Sequence, residues 1–326
     1  MKNKIILCLT AFILITALCA CTEIPINSNS NTSLPDLTEG SKATDTSKPA
    51  ESLAEESDQP QNVSKDESTD TSLPPVLDLP YSDPGSMVKA DIKADSLDEY
   101  FKNAVFVGDS IMVHYKNFAD SMKAKDSGYM GGAKILASSS FSAYHNYVSL
   151  SDKNATHPKY EGERRYVQDS IKQMGAEMAI ISSMALNSLG LFNTDTCVDD
   201  VFSYNCRLIE DIKKSSPNIK IVVLSATYLI KIDSPYARLN NPHISQLNNK
   251  MLEYCTQNGY DFIDISSVLT QNGYLKNEYV LENDPQYCHL KQDCYAKWTA
   301  IFRNYSFAKQ NGFYKNPESM PIFTNK

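Results

Sequence analysis

Five apolar runs separated by segments of helical period constrain this chain more than any other feature. They are "AVFVGD" (104–109), "AKILASSS" (133–140), "EMAIISSMA" (177–185), "IKIVVLSAT" (219–227) and "YDFIDIS" (260–266). The fourth is continuous and β-branched, as a strand buried on both faces has to be. Helical period marks "SIMVHYKNFADSM" (110–122), "ERRYVQDSIKQMG" (163–175), "DTCVDDVFSYNCRLIEDIKKSSP" (195–217), "HISQLNNKMLEYCTQNG" (243–259) and "KQDCYAKWTAIFRNYSFAKQNG" (291–312). Strands alternating with helices predict a mainly parallel five-stranded sheet with right-handed crossovers and helices on both faces, a doubly wound three-layer α/β/α domain. Ahead of it, "ADSLDEYFKNA" carries Ser96 and, three residues later, Glu99, a capping-box spacing that predicts a short leading helix.

In sheets of this kind ligands bind beyond the carboxyl ends of the strands. Ser110 follows the first run, the serines at 138–140 follow the second, and "MALNSLG" (184–190) follows the third. These distant segments are expected to meet on one rim.

The N-terminal part reads differently. Lys2 and Lys4 precede an apolar stretch from Ile5 to Leu18 that ends in small residues, a secretory signal over 1–20 that is too short to span a membrane. Its end, Leu18-Cys19-Ala20-Cys21, resembles the lipobox of bacterial lipoproteins, which implies acylation of Cys21. Residues 21–85 are rich in Ser, Thr, Asp, Glu and Pro, with no aromatic side chain before Tyr81. Such a segment buries too little apolar area to offset its ordering entropy and is expected to be a disordered tether. Its r.m.s. reach is about 45 Å, enough to hold a domain away from a membrane. The tether holds thirteen acidic residues against three lysines between Thr22 and Pro84, and the rest of the chain from Gly85 onward has 26 of each sign. The overall charge of −8 is therefore the tether's −10 offset by the +2 of Lys2 and Lys4, and residues 86–326 form a neutral domain. The expected location is the outer face of the cytoplasmic membrane, facing a periplasm where there is one.

Beyond Cys21 there are five cysteines: 197, 206, 255, 288 and 294. An odd number leaves at least one unpaired; Cys288 and Cys294 are spaced to close a small loop, and spacing alone does not show that they do. No cysteine pair has metal-ligand spacing beside histidines, so neither a metal nor another cofactor is expected. With no basic cluster interleaved with aromatics, nucleic acid is not an expected partner.

Gly108-Asp109-Ser110 after an apolar strand resembles the first block of the SGNH (GDSL-type) hydrolases, a family of esterases and acylhydrolases on a flavodoxin-like fold. The third block of that family, Gly-x-Asn-Asp, aligns with Ala185-Leu186-Asn187-Ser188, where the asparagine is kept and its neighbours differ. The last block, Asp-x-x-His, aligns with "NDPQYCHLKQ", which supplies His289; Gln286 stands where the aspartate is expected, and Asp284 lies five residues before the histidine. The resemblance implies Ser110 as nucleophile and His289 as the base that takes its proton. It implies oxyanion donors on the Ser110 N–H, a second-block N–H and the Asn187 amide. The second-block glycine is absent; Ser139 or Ser138 takes its place, provided its backbone does not require φ > 0. Either Asp284 or a backbone carbonyl orients His289.

Taken singly, each residue has a plainer role: Ser110 or Asp109 as a helix cap, Asn187 as a loop residue, His289 as a polar residue at a helix start. Their conjunction points to an esterase. The long connection 141–166 is expected to form a substrate-facing flap, whose Tyr144, His145 and Tyr147 either stack on sugar rings or pack the flap down. His114 and His243 carry structural expectations only. The expected activity is hydrolysis of an O-acyl, above all O-acetyl, ester on a polysaccharide or other small ester. The alternatives are a degenerate, non-catalytic domain that binds envelope glycan and an acyltransferase using the same serine.

Overall fold

A computed structural model describes residues 94–231, 237–281 and 288–323 of the chain. The segments expected to be signal and tether, with Cys21, and Asp284 lie outside the described residues. Five strands form the central sheet: β1 (Ala104–Gly108), β2 (Lys134–Ala137), β3 (Met178–Ser182), β4 (Lys220–Leu224) and β5 (Asp261–Ile263). Their order is β2-β1-β3-β4-β5, with every neighbouring pair parallel. This is the doubly wound arrangement that the alternation of runs predicts. β1 is buried at all five positions and β4 at four of five, which is why both read as unbroken apolar stretches. Edge strand β2 buries only Leu136 fully and turns Lys134 to solvent.

Among the described residues seven α-helices cover the sheet: α1 (Ala94–Asp98), α2 (Ser110–Lys123), α3 (Val167–Met174), α4 (Ala185–Leu191), α5 (Cys197–Ser215), α6 (Asn241–Asn258) and α7 (Gln292–Gln310). One layer packs α1 and α2 against α7; the other packs α3, α4 and α6 against α5. Helix α5 buries Val198, Val201, Leu208, Ile209 and Ile212, the three- and four-residue spacing of an apolar stripe. Helix α6 opens on Asn240, whose side chain accepts the His243 N–H at 2.9 Å, and closes on Gly259 at φ 69°. Trp298 of α7 is buried and donates its Nε1–H to Ile265 O at 3.1 Å, tying the last helix to the segment after β5.

Three local expectations change. Ser96 lies inside α1 and does not cap it; Glu99 pairs with Lys102 at 2.9 Å instead of reaching back, and the chain tightens there into a 3₁₀ turn, Glu99–Phe101. The second strand ends at Ala137, and Ser139 and Ser140 form a turn. The third run stops being strand at Ser182: Met184, at φ 45°, turns the chain out of β3, and Ala185, expected as strand, opens α4.

Asp98 anchors α1 to α7. Its buried carboxylate receives Arg303 Nε at 2.7 Å and Nη2 at 2.8 Å, and the Met130 N–H at 3.0 Å. Removing one member of such a pair leaves an unpaired buried charge, so Asp98→Ala is expected to cost about 3–5 kcal/mol. The fall in the urea midpoint at unchanged m-value measures it.

Candidate active site

The site begins where β1 runs into α2. A side chain at Gly108 would place its Cβ 2.7 Å from Met112 Cβ and 3.1 Å from Ser182 Cβ, so glycine is what lets α2 and β3 approach this corner. Asp109 follows as the N-cap of α2, its Oδ1 accepting the Ile111 N–H at 3.1 Å. Ser110 is the first helical residue; its N–H belongs to the turn that has no intrahelical acceptor, at the positive end of the helix dipole.

His289 arrives from the other end of the chain. Its backbone is pinned by an antiparallel bridge between Val280 and Leu290, with the Leu281 N–H donating to His289 O at 3.0 Å and the Lys291 N–H to Tyr279 O at 2.8 Å. Its Nε2 lies 3.0 Å from Ser110 Oγ, across 179 positions of sequence. That is hydrogen-bond distance for a hydroxyl donating to an imidazole nitrogen, and it requires the tautomer with its proton on Nδ1. The His289 ring also stacks on His114, centroids 4.7 Å apart and planes 19° apart. Sequence reading gave His114 no part in the site; the signal was its position four residues after Ser110, one turn along the same helix.

Two further bonds join the remaining segments to this corner. The Ser138 N–H donates to Gly108 O at 3.2 Å, extending the β1–β2 ladder by one rung. Asn187 Nδ2 donates to Ser140 O at 2.7 Å, linking α4 to the turn after β2. Because the Ser138 N–H is spent in the ladder, Ser139 is the better of the two second-block candidates. The positive φ of this turn, 59°, falls on Ser140 and not on Ser139. The Phe141 N–H closes the turn onto Ser138 O at 3.1 Å. Two non-glycine residues in the left-handed region, Ser140 and Met184, thus stand at the ends of β2 and β3, next to the strand-order reversal where ligand crevices form.

Asp109 is 3 % exposed, and burial pushes its carboxyl up from 3.8 to about 6, against the opposing pull of the Ile111 N–H and of His289. A raised folded-state pKa means that the folded protein holds a proton the unfolded chain releases. This group therefore makes folding less favourable as pH rises from about 4 to about 6, and the penalty stays constant above that window. Asp109→Asn keeps a capping oxygen and removes the titration. Its stability relative to the wild type is expected to rise by about 2–3 kcal/mol between pH 4 and pH 7, read from paired urea titrations.

The flap residues are engaged in packing. Tyr144 meets Phe192 and Tyr204 edge-on, at 5.7 and 5.3 Å between centroids. Tyr147 lies under the Arg207 guanidinium at 3.8 Å and donates its hydroxyl to Asp211 at 2.9 Å. His145 accepts the Ser142 N–H on Nδ1 at 3.2 Å, which holds the 3₁₀ turn that carries all three residues. Cys197, Cys206, Cys255 and Cys294 are buried free thiols, so Cys294 closes no loop with Cys288. His243 Nδ1 sits 2.7 Å from Arg238 O and serves the start of α6. Among the described residues no group of three or more His, Cys, Asp or Glu side chains is arranged to hold a metal ion.

No family model and no curated protein matches the chain. Among solved structures it is similar to a GDSL-like lipase from Bacteroides thetaiotaomicron, at 13% identity and TM-score 0.48, over 65% of this chain and 90% of that one. It is also similar to an acetyl xylan esterase, at 16% identity and TM-score 0.42, over 61% and 96%. A third is the periplasmic domain of a lipopolysaccharide acetyltransferase from Salmonella serovar Paratyphi A, at 13% and 0.39, over 64% and 84%. These likenesses are distant, and the chemistry assigned to the site rests on its own geometry.

Proposed function

We propose that this domain is an SGNH-type serine ester hydrolase that works through an acyl-enzyme on Ser110. The observation that carries the proposal is the 3.0 Å separation of His289 Nε2 from Ser110 Oγ. A serine hydroxyl is a weak nucleophile at neutral pH and becomes a useful one when a base takes its proton during attack. His289 accepts that proton as Oγ bonds to the ester carbonyl carbon, and the carbonyl oxygen takes the negative charge. The donors assigned to this oxyanion are the N–H groups of Ser110 and Ser139 and the Asn187 amide, whose second hydrogen is not used by Ser140 O. Collapse expels the alcohol, which leaves with the proton held on His289. Water then gives a proton to the same nitrogen and attacks the acyl carbon, and Ser110 Oγ recovers that proton as the carboxylic acid departs. Asp284 takes the role of orienting the imidazole, on the strength of its position five residues before His289 on the same connection.

The substrate we assign is an O-acetylated polysaccharide of the cell envelope or its surroundings. The assignment is supported by the secretory signal, the lipobox-like Cys21 and the long acidic tether ahead of a neutral domain. Incubating the purified protein with O-acetylated glycans and measuring released acetate tests it; release from glycan, absent with Ser110→Ala, is the expected result. Acyl transfer uses the same intermediate, with an acceptor hydroxyl in place of water, and mass analysis of the glycan products separates the two outcomes.

A further inference from the structure

The His289 ring has a reaction to perform in two places, first at Ser110 Oγ and then at the departing oxygen. Its backbone is fixed on both sides, by Leu281 N–H to His289 O and Lys291 N–H to Tyr279 O. Its ring is not fixed by that: rotation about the Cβ–ring bond of histidine is broad and roughly two-fold, with no steep staggered wells. A ring that librates out of plane carries Nε2 away from the line to Oγ, and misplacement by about 1 Å is enough to cost about 10²-fold in rate.

Beside the hydrogen bond to Ser110 Oγ and the orienting role assigned to Asp284, one side chain adds a constraint on the plane of the ring. His114 lies face to face with His289, at 4.7 Å and 19°. It stands on α2 four residues after Ser110, so nucleophile and stacking ring rise from the same side of one helix, a turn apart. A flat wall at that distance opposes rotation of the neighbouring ring out of its plane. Movement within the plane stays open, and that is the movement a proton shuttle between two oxygens needs. Because the wall and the hydroxyl share one rigid element, displacement of α2 moves both together and keeps the register between ring and Oγ.

We propose that His114 is a positioning residue that holds the plane of the His289 imidazole through ring stacking and so sets the rate of proton transfer without touching substrate. The proposal rests on the assignment of Ser110 and His289 as nucleophile and base, and it adds a specific claim: what matters at position 114 is a flat ring. It follows that phenylalanine should serve there and alanine should not.

The test compares His114→Ala and His114→Phe in the full chain with p-nitrophenyl acetate as substrate. The alanine variant is expected to lose about 10- to 50-fold in kcat with KM within about twofold, and the phenylalanine variant to stay within about threefold of wild type in kcat. Thermal melting of both variants controls for folding. ¹³C relaxation of labelled histidine rings gives a readout independent of turnover: the His289 ring should gain mobility in His114→Ala and keep wild-type rigidity in His114→Phe. Equal kcat losses in the two variants, or an unchanged His289 ring mobility in His114→Ala, would overturn the proposal. Failure of the underlying assignment shows separately, as hydrolysis by Ser110→Ala at the wild-type rate, and the relaxation measurement still decides the stacking claim in that case.

Discussion

Ser110→Ala is expected to lower kcat/KM for ester hydrolysis by about 10⁴- to 10⁶-fold, to a residue of activity that owes nothing to covalent catalysis. The size of the loss follows from what the serine does. In the proposed mechanism its Oγ forms the bond that splits one slow displacement by water into two faster acyl transfers, and it is the hydroxyl that stands 3.0 Å from His289 Nε2. The substitution should leave the fold intact. Asp109, not Ser110, caps α2, and alanine is the best helix former for a first-turn position. Steady-state kinetics on a chromogenic acetate ester, with circular dichroism to confirm folding, check the expectation. A loss below tenfold would remove Ser110 from the mechanism.

His289→Ala is expected to have a comparable effect, a fall of about 10⁴-fold or more in kcat, because nucleophile and base act as a unit and losing either disables both. The double variant Ser110→Ala/His289→Ala should therefore be scarcely slower than either single one. Such non-additivity is the kinetic mark of two groups serving one step. If the losses multiplied instead, the 3.0 Å contact between Oγ and Nε2 would be a structural hydrogen bond with no shared step behind it. The imidazole sits on the paired segment at Val280–Leu290 and not inside α7, so its removal should leave the packing around Trp298 undisturbed.

The frame of this domain was legible in the sequence because strands buried on both faces leave an unmistakable trace. β1 and β4 bury almost every side chain, and Lys220 is the one polar residue within those two strands. Ser110, Asn187 and His289 were legible for a different reason: each follows a strand or precedes a helix at a place where the fold puts ligands. What the sequence did not reveal lies in backbone angles and ring contacts. Ser140 at φ 59° and Met184 at φ 45° take the left-handed conformation that glycine normally announces, and neither residue type signals it. Because Met184 turns there, the third run ends as strand at Ser182 and Ala185, expected as strand, begins a helix. The raised pKa of Asp109 depends on how completely the domain closes over one carboxyl, which no local pattern encodes. His114 carried its spacing openly, but a histidine on a helix faces many possible neighbours. Only the arrival of His289, 175 residues later in the chain, gives it one.

These assignments depend on one physical claim: that the nitrogen 3.0 Å from Ser110 Oγ makes it nucleophilic. Covalent labelling with a fluorophosphonate tests this most directly, since the reagent reacts with an activated serine and records which one by peptide mass. The account predicts a single adduct on Ser110 in the wild-type protein, none in Ser110→Ala, and labelling slowed by about 10³-fold or more in His289→Ala. An unlabelled Ser110 in the folded wild-type protein, or labelling that proceeds as fast without His289, would contradict it.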